Sequence, residues 1–485
     1  MASRIGWAGA VAIAVLAVLL VLSPLYGFHR DELYFVVAGR HPAFGYVDQP
    51  PLTPLLSAAS IALLGVTPVA IRILPAFAVA ACVWLTGDMA RRFGGGPRAQ
   101  LIAAVSIVAS GYLAAGHLAS TTTYDLLAWT VILWLAVRLL DGADPRLWPV
   151  LGLVAGIGLE NKHLVAFLGV GLAAGLLLAR RWDVLRSPWA WSALAIAALV
   201  WLPNLAWQAA NDWPQLQMAE RLAARAAAER DSFLVEVVLL GGSLLAFVPV
   251  LGAGRLLLAA DARPWRPIGW AAVVVVAIVL LTNGKSYYMF GPFAPLAASG
   301  AVLLERWIAR GRTPVRGVAV GALAAVSVAV MAVLTLPIVP AASLALTPVA
   351  ELYSEAGEQV GWPELAAEVQ RVANGLTPAE REDAIIVTAN YGEAGALELL
   401  GEDLPPVYSG HNSYWDWGPP PDGQTVVILV AGGGWQGWAL GDCTTAGHVD
   451  NGLGVDNDEQ GTPVRVCRRV PASWADAWRI YRHLD

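Results

Sequence analysis

Phe28-His-Arg-Asp-Glu-Leu-Tyr34, with Gly45-Tyr-Val-Asp-Gln-Pro-Pro-Leu52 just after it, is the stretch around which the rest of the chain is organised. It follows the first long apolar run, Ile5 to Leu25, which is long enough to cross a bilayer as a helix. Asp31 and Glu32 therefore stand where the chain emerges into the membrane–water interface. Adjacent acids there are costly unless solvated, paired or used in chemistry. An ordinary polar flank is one reading, because polar residues commonly end membrane helices. A catalytic carboxylate held at the membrane surface is the other. Tyr34 and Phe35 supply interface anchors and Gly45-Tyr46 a turn. Pro50 and Pro51 forbid helix across the junction and can restart one after it. These details favour the catalytic reading.

The 485 residues are 57% hydrophobic and only 14% charged, with a mean hydropathy of +0.58. That profile is an integral membrane protein. A net charge of −6 with no basic block argues against nucleic acid as a partner. Ile5–Leu25 has the charge order of a signal sequence but is too long, and no small-residue cleavage site follows it. It reads as a retained membrane helix. Cys82 lies in an apolar run and behaves as a small hydrophobe. Only two of the basic residues are lysine, Lys162 and Lys285.

Further apolar runs follow at 68–90, 99–119, 126–140, 147–159, 164–178, 189–205, 233–251, 270–282, 290–304 and 318–336. With the first they make about eleven spans. Leu52–Leu64 reads as a short amphipathic helix at the interface. With the N-terminus inside, the arginine clusters at 91–98, 138–146, 180–186, 255–266 and 306–316 all fall on the cytoplasmic side. The same alternation puts Asp31, Asp48, Asp125, Lys162, Lys285 and everything after about 337 outside. Both lysines then mark extracytoplasmic helix ends.

Residues 338–485 change character. Trp362–Asn374 is patterned as an amphipathic helix, Asp383–Ala389 as a strand, and Asn390-Tyr-Gly-Glu393 turns into a helix through Leu400. Thr425–Val430 is a second strand, and 442–470 reads as loop and hairpin. Strands alternating with helices predict a small extracytoplasmic α/β domain after a membrane domain over 1–337. Outside the membrane, Cys443 and Cys467 can form a disulfide; two free buried thiols are the other reading. The run Ala431-Gly-Gly-Gly434 lacks phosphate-loop spacing.

Asp31-Glu32 after the first span, Gly45-Tyr-Val-Asp-Gln-Pro-Pro51, Thr121-Thr-Thr-Tyr-Asp125, Gly158-Leu-Glu-Asn-Lys162 and Lys285-Ser-Tyr-Tyr288 together resemble the polytopic GT-C glycosyltransferases. The likeness is greatest to glycosyltransferase family 39, the protein O-mannosyltransferases and lipid A aminoarabinose transferases. Within it, the chain resembles bacterial members whose extracytoplasmic C-terminal domain carries Asn390-Tyr-Gly-Glu-Ala394 and Ser409-Gly-His-Asn-Ser-Tyr-Trp415. The resemblance implies a cytoplasmic-membrane protein with a polyprenyl-phosphate-sugar donor, an extracytoplasmic acceptor and a catalytic Asp in the first external loop. The turn Glu160-Asn-Lys-His departs from it, because an apolar residue is expected before the lysine. The role of Glu160 is left open.

Such a donor has its scissile bond at the headgroup plane, where a carboxylate must deprotonate the acceptor hydroxyl as it attacks the anomeric carbon. Asp31 is the candidate; Glu32 orients it, binds the acceptor or faces water. The leaving polyprenyl phosphate calls for positive charge rather than a general acid. Lys162 and Lys285 can supply it, and Tyr287 or Tyr288 a phosphate hydrogen bond. Each also reads as an anchor at a helix end. Asp125 is either a helix N-terminal acid or, like Asp48, a substrate- or metal-binding one. His29, His117 and His163 share the external side without metal-specific spacing. A divalent cation, if used, would sit on acids such as Asp31 and Asp125. The competing class is a transporter or flippase for a lipid-linked or small polar solute, which would place its charges near the bilayer midplane. A sensor with an external binding domain does not need eleven spans.

Overall fold

A computed structural model describes residues 6–228, 230–432 and 440–484. Gly433 and Gly434 of the glycine-rich run lie outside the described residues. The chain forms two compact units. The first takes in Met1–Ser23, Gln49–Thr53 and Arg72–Leu336, the second Pro24–Asp48, Pro54–Ile71 and Pro337–Asp485. The segments 24–48 and 54–71, which the sequence reading places in the 1–337 domain, thus group with the C-terminal residues. The reason lies in the Arg30–Arg40 helix, whose Tyr34, Phe35 and Val37 are buried with Ala394 and Tyr414.

The first unit is helical. Among the described residues of the chain, five helices are long and apolar enough to cross a membrane: Pro68–Arg92, Thr121–Leu140, Pro188–Ala210, Ala260–Leu281 and Val315–Thr335. Five shorter apolar helices are Trp7–Leu22, Leu52–Leu64, Pro97–Val108, Leu147–Leu159 and Leu164–Leu178. Two of the expected spans are interrupted. The run 99–119 gives the Pro97–Val108 and Tyr112–His117 helices, because the Gly111 N–H donates to the Leu240 carbonyl at 2.8 Å. The run 233–251 becomes two segments, Phe233–Leu240 and Ser243–Leu258, that meet at 88°. The bend falls at Gly242, whose φ of 110° suits glycine alone.

Helix pairs here close on small residues rather than on a hydrophobic drive, as expected in lipid. The Phe247–Leu258 and Phe293–Ala309 helices approach so closely that a Cβ at Gly252 would collide with the Leu296 carbonyl, and one at Gly300 with the Val248 carbonyl. Gly300→Ala is therefore expected to lower the melting temperature in detergent, at an overpacking cost of about 1–3 kcal/mol. Gly254, on the same helix, faces open space, and Gly254→Ala should leave melting unchanged. Equal melting of the two variants would show that the close approach does not matter.

The second unit holds a five-stranded sheet of β1 (Ala384–Thr388), β2 (Val407–Ser409), β3 (Val426–Val430), β4 (Gly441–His448) and β5 (Pro463–Arg469), ordered β2-β1-β3-β5-β4. β1 pairs in parallel with β2 and β3; β5 pairs antiparallel with β3 and β4. Every residue of β1 and β3 is buried, as a sheet covered on both faces requires. Trp474, Trp478 and Tyr481 pack on Ile385, Val387, Val427 and Leu429. Cys443 and Cys467 stand opposite each other on β4 and β5, joined as a disulfide.

Candidate active site

In the first unit the lysine turns converge. Lys162 lies in the turn between the Leu147–Leu159 and Leu164–Leu178 helices. The turn is held by Asn161, which is fully buried. Its Nδ2 donates to the Thr121 carbonyl at 2.7 Å, and its Oδ1 accepts from the Thr53 hydroxyl at 2.6 Å. Glu160 takes part through its backbone, its carbonyl accepting from the Leu52 N–H at 2.9 Å. Lys162 Nζ donates to Thr122 Oγ1 at 3.1 Å and lies 5.1 and 5.2 Å from the ring centres of Tyr287 and Tyr288. Lys285 Nζ lies 6.0 Å from the Tyr287 ring. The two tyrosines meet edge to face at 4.9 Å. Cations over phenol faces are held by the ring quadrupole without neutralising the charge.

Asp125, one turn into the Thr121–Leu140 helix, is buried. Its Oδ1 accepts from Trp129 Nε1 at 3.1 Å, and the Lys162 ammonium attracts its charge. Ser120 caps that helix by accepting from the Thr123 N–H. His163 pairs with Asn204, Nε2 to Oδ1 3.0 Å, and meets Trp201 edge-on. The first unit therefore gathers Thr122, Asp125, Lys162, Lys285, Tyr287 and Tyr288, with His163 engaged separately. Glu236 was not singled out in the sequence. It accepts from the Ser286 hydroxyl at 2.6 Å, next to Lys285. Its signal is an acid inside the apolar helix Phe233–Leu240.

The second unit places Asp31 and Glu32 in the first turn of the Arg30–Arg40 helix, not in a loop. Their environments differ. Glu32 is fully buried, and its Oε2 accepts from the His29 N–H at 2.9 Å. His29 completes the capping box, its Nδ1 accepting from the Asp31 N–H at 3.2 Å. Its Nε2 lies 2.7 Å from Glu355 Oε2. Asp31 is only half-buried, and its Oδ1 accepts from the Tyr391 hydroxyl at 2.8 Å. Asp48 Oδ1 accepts from the Tyr34 hydroxyl at 2.8 Å. Burial pushes the Asp48 carboxyl up to about 7 against that hydrogen bond, and the charges of Asp31 and Asp416 repel it further. The Tyr34 and Tyr391 rings meet at a tilt, centroids 4.8 Å apart. Two acids thus accept from two phenols in ring contact, an arrangement that sequence could not reveal because Tyr391 lies 360 positions from Asp31. Among the described residues no three His, Cys, Asp or Glu side chains form a metal-binding group.

Against known proteins, the model of the dolichyl-phosphate-mannose-protein mannosyltransferase family matches residues 48–207. No curated protein matches the chain. Two solved structures are similar along almost the whole length. The crystal structure of ArnT from Cupriavidus metallidurans in the apo state is 14% identical with a TM-score of 0.62, covering 96% of this chain and 98% of its own. The same protein bound to undecaprenyl phosphate is 14% identical with a TM-score of 0.58, covering 95% and 97%. The family match is confined to residues 48–207, and the likeness to ArnT along almost the whole length is one of fold; with five helices among the described residues long and apolar enough to cross a membrane, the chain is a polytopic helical membrane protein.

Proposed function

We propose that the protein transfers a sugar from a polyprenyl-phosphate donor to an acceptor hydroxyl on the extracytoplasmic side of a bacterial cytoplasmic membrane. One observation carries the donor assignment. The chain's two lysines, 123 positions apart in a protein otherwise basic only through arginine, both lie over the ring of Tyr287. Two ammonium groups and two phenols suit a phosphate that must leave with its negative charge. ArnT, whose fold is similar, has been crystallised with undecaprenyl phosphate, which supports the same lipid class here.

In the reaction the acceptor oxygen attacks the anomeric carbon. Its proton goes to the Asp31 carboxylate, and the bond from that carbon to the phosphate oxygen breaks, its electron pair leaving with the polyprenyl phosphate. Asp31 suits the base because it is half-exposed and its neighbour Glu32 is occupied in capping the helix. Asp125 offsets Lys162 and meets the sugar hydroxyls; Asp48 serves the acceptor. Residues 338–485 act as an extracytoplasmic α/β domain. The test is transfer from a labelled polyprenyl-phosphate sugar in liposomes, using membrane extract as the acceptor source. Transport of the lipid-linked sugar without transfer would favour a flippase instead.

The orientation has its own test. Ser354 is exposed in the second unit. A cysteine introduced there should react with an impermeant thiol reagent on intact cells. Labelling only after lysis would reverse the topology.

A further inference from the structure

Tyr391 opens the helix Tyr391–Leu400, and the local sequence leaves it little freedom. Asn390 caps that helix by accepting from the Glu393 N–H at 2.8 Å, while Glu393 Oε2 accepts from the backbone of Asn390 at 3.1 Å and of Ala389 at 2.8 Å. Gly395 then lets the helix lie against Arg30–Arg40, because a Cβ there would stand 3.0 Å from that of Leu33. The Tyr391 ring is held on two sides, at 4.8 Å by Tyr34 and 4.7 Å by His411, with the Arg30 guanidinium 5.9 Å from its centre. Only the hydroxyl is directed elsewhere, and it donates to Asp31 Oδ1 at 2.8 Å. Among the described residues Asp31 Oδ2 accepts no hydrogen bond. Burial, and then the charge of Asp31, hold the phenol well above its ordinary value, so it remains a donor throughout the working range.

We infer that Tyr391 is a positioning residue for the transfer reaction: its hydroxyl fixes the rotamer of the Asp31 carboxylate and leaves Oδ2 to receive the acceptor proton. The inference rests on Asp31 as the base. A ring held on two sides does not need a hydroxyl for packing. A phenol bonded to one carboxylate oxygen sets which oxygen faces the acceptor. The charged and titratable groups around Asp31 are His29 at the cap, Arg30 and Glu32 on its own helix, Asp48 on the following segment and Tyr391 on the helix packed against it.

The experiment is Tyr391→Phe in the full-length protein, assayed by transfer from a labelled polyprenyl-phosphate sugar. Loss of a hydrogen bond to a charged group should lower kcat about 10- to 100-fold. The donor KM and the melting temperature should stay close to wild type, because both ring contacts survive. In an Asp31→Asn background the same substitution should change nothing further. If Tyr391→Phe fails to accumulate, a ring-fluorinated tyrosine at 391 keeps the shape, alters the strength of the donor and should change kcat with the donor KM unchanged. Wild-type kcat in Tyr391→Phe, beside an inactive Asp31→Asn, would overturn the role of Tyr391 and leave the base in place. An effect of equal size in the Asp31→Asn background would mean a merely structural tyrosine. Near-wild-type transfer by Asp31→Asn would overturn both.

Discussion

Asp31→Asn is expected to be made, inserted and able to bind a polyprenyl-phosphate sugar, yet to transfer it about 10²–10⁴-fold more slowly than the wild type. The substitution keeps the shape and the oxygen that accepts from Tyr391 and removes the basicity. The helix should not suffer, because its capping box uses the Asp31 backbone N–H and the Glu32 side chain, not the Asp31 carboxylate. That separation makes the variant a clean test. Glu32→Gln is the contrasting substitution. It weakens a buried cap and should show itself in melting temperature more than in turnover. Transfer and donor binding would be measured side by side in liposomes. Near-wild-type transfer by Asp31→Asn would remove it as the base, and Asp48 would be the next carboxylate to test.

Lys162→Ala carries the second large effect. The ammonium donates to Thr122, lies over both tyrosines and attracts the buried Asp125. A charged hydrogen bond to phosphate contributes about 1.5–3 kcal/mol, so kcat/KM for the donor should fall about 10- to 100-fold. Some stability should go with it, because Asp125 loses its offsetting cation. Lys285→Ala should fall less, since the Lys285 ammonium lies farther from the Tyr287 ring, at 6.0 Å. A lysine that merely anchored its helix end at the interface would cost almost nothing on removal. Wild-type kcat/KM in both variants would therefore assign them to anchoring and leave the leaving phosphate without its cations.

What could be read from the sequence was local. The apolar runs set most of the helices, since length and hydropathy alone decide whether a segment can sit in lipid. Asn390 followed three residues later by Glu393 announced a capped helix, and the helix begins at Tyr391. The interruptions were hidden. Nothing between Ala99 and Ala119 forbids a continuous helix; the break exists because Gly111 bonds to Leu240, far along the chain. The glycine pair at 241–242 is a weak signal until its left-handed φ is seen. The site divides in the same way. Each lysine turn could be read from residues in a row, but the shared Tyr287 ring depends on tertiary packing. The roles of Asp31 and Glu32 look interchangeable as letters. They separate only when one carboxylate is found capping a backbone N–H and the other accepting from a phenol across 360 positions.

The interleaving of the second unit also sets a timetable for its assembly. Residues 24–48 and 54–71 are made first and their partners from 337 onward last. At about 5–20 residues per second, synthesis of the intervening chain takes roughly 15–50 s. Throughout that interval Tyr34, Phe35 and Val37 have none of the C-terminal residues that later bury them. A nascent chain with such a delay depends on whatever shields its early segment, whether lipid headgroups or a chaperone outside the membrane. Yield in a foreign host is then governed by the speed of elongation as much as by the stability of the finished protein.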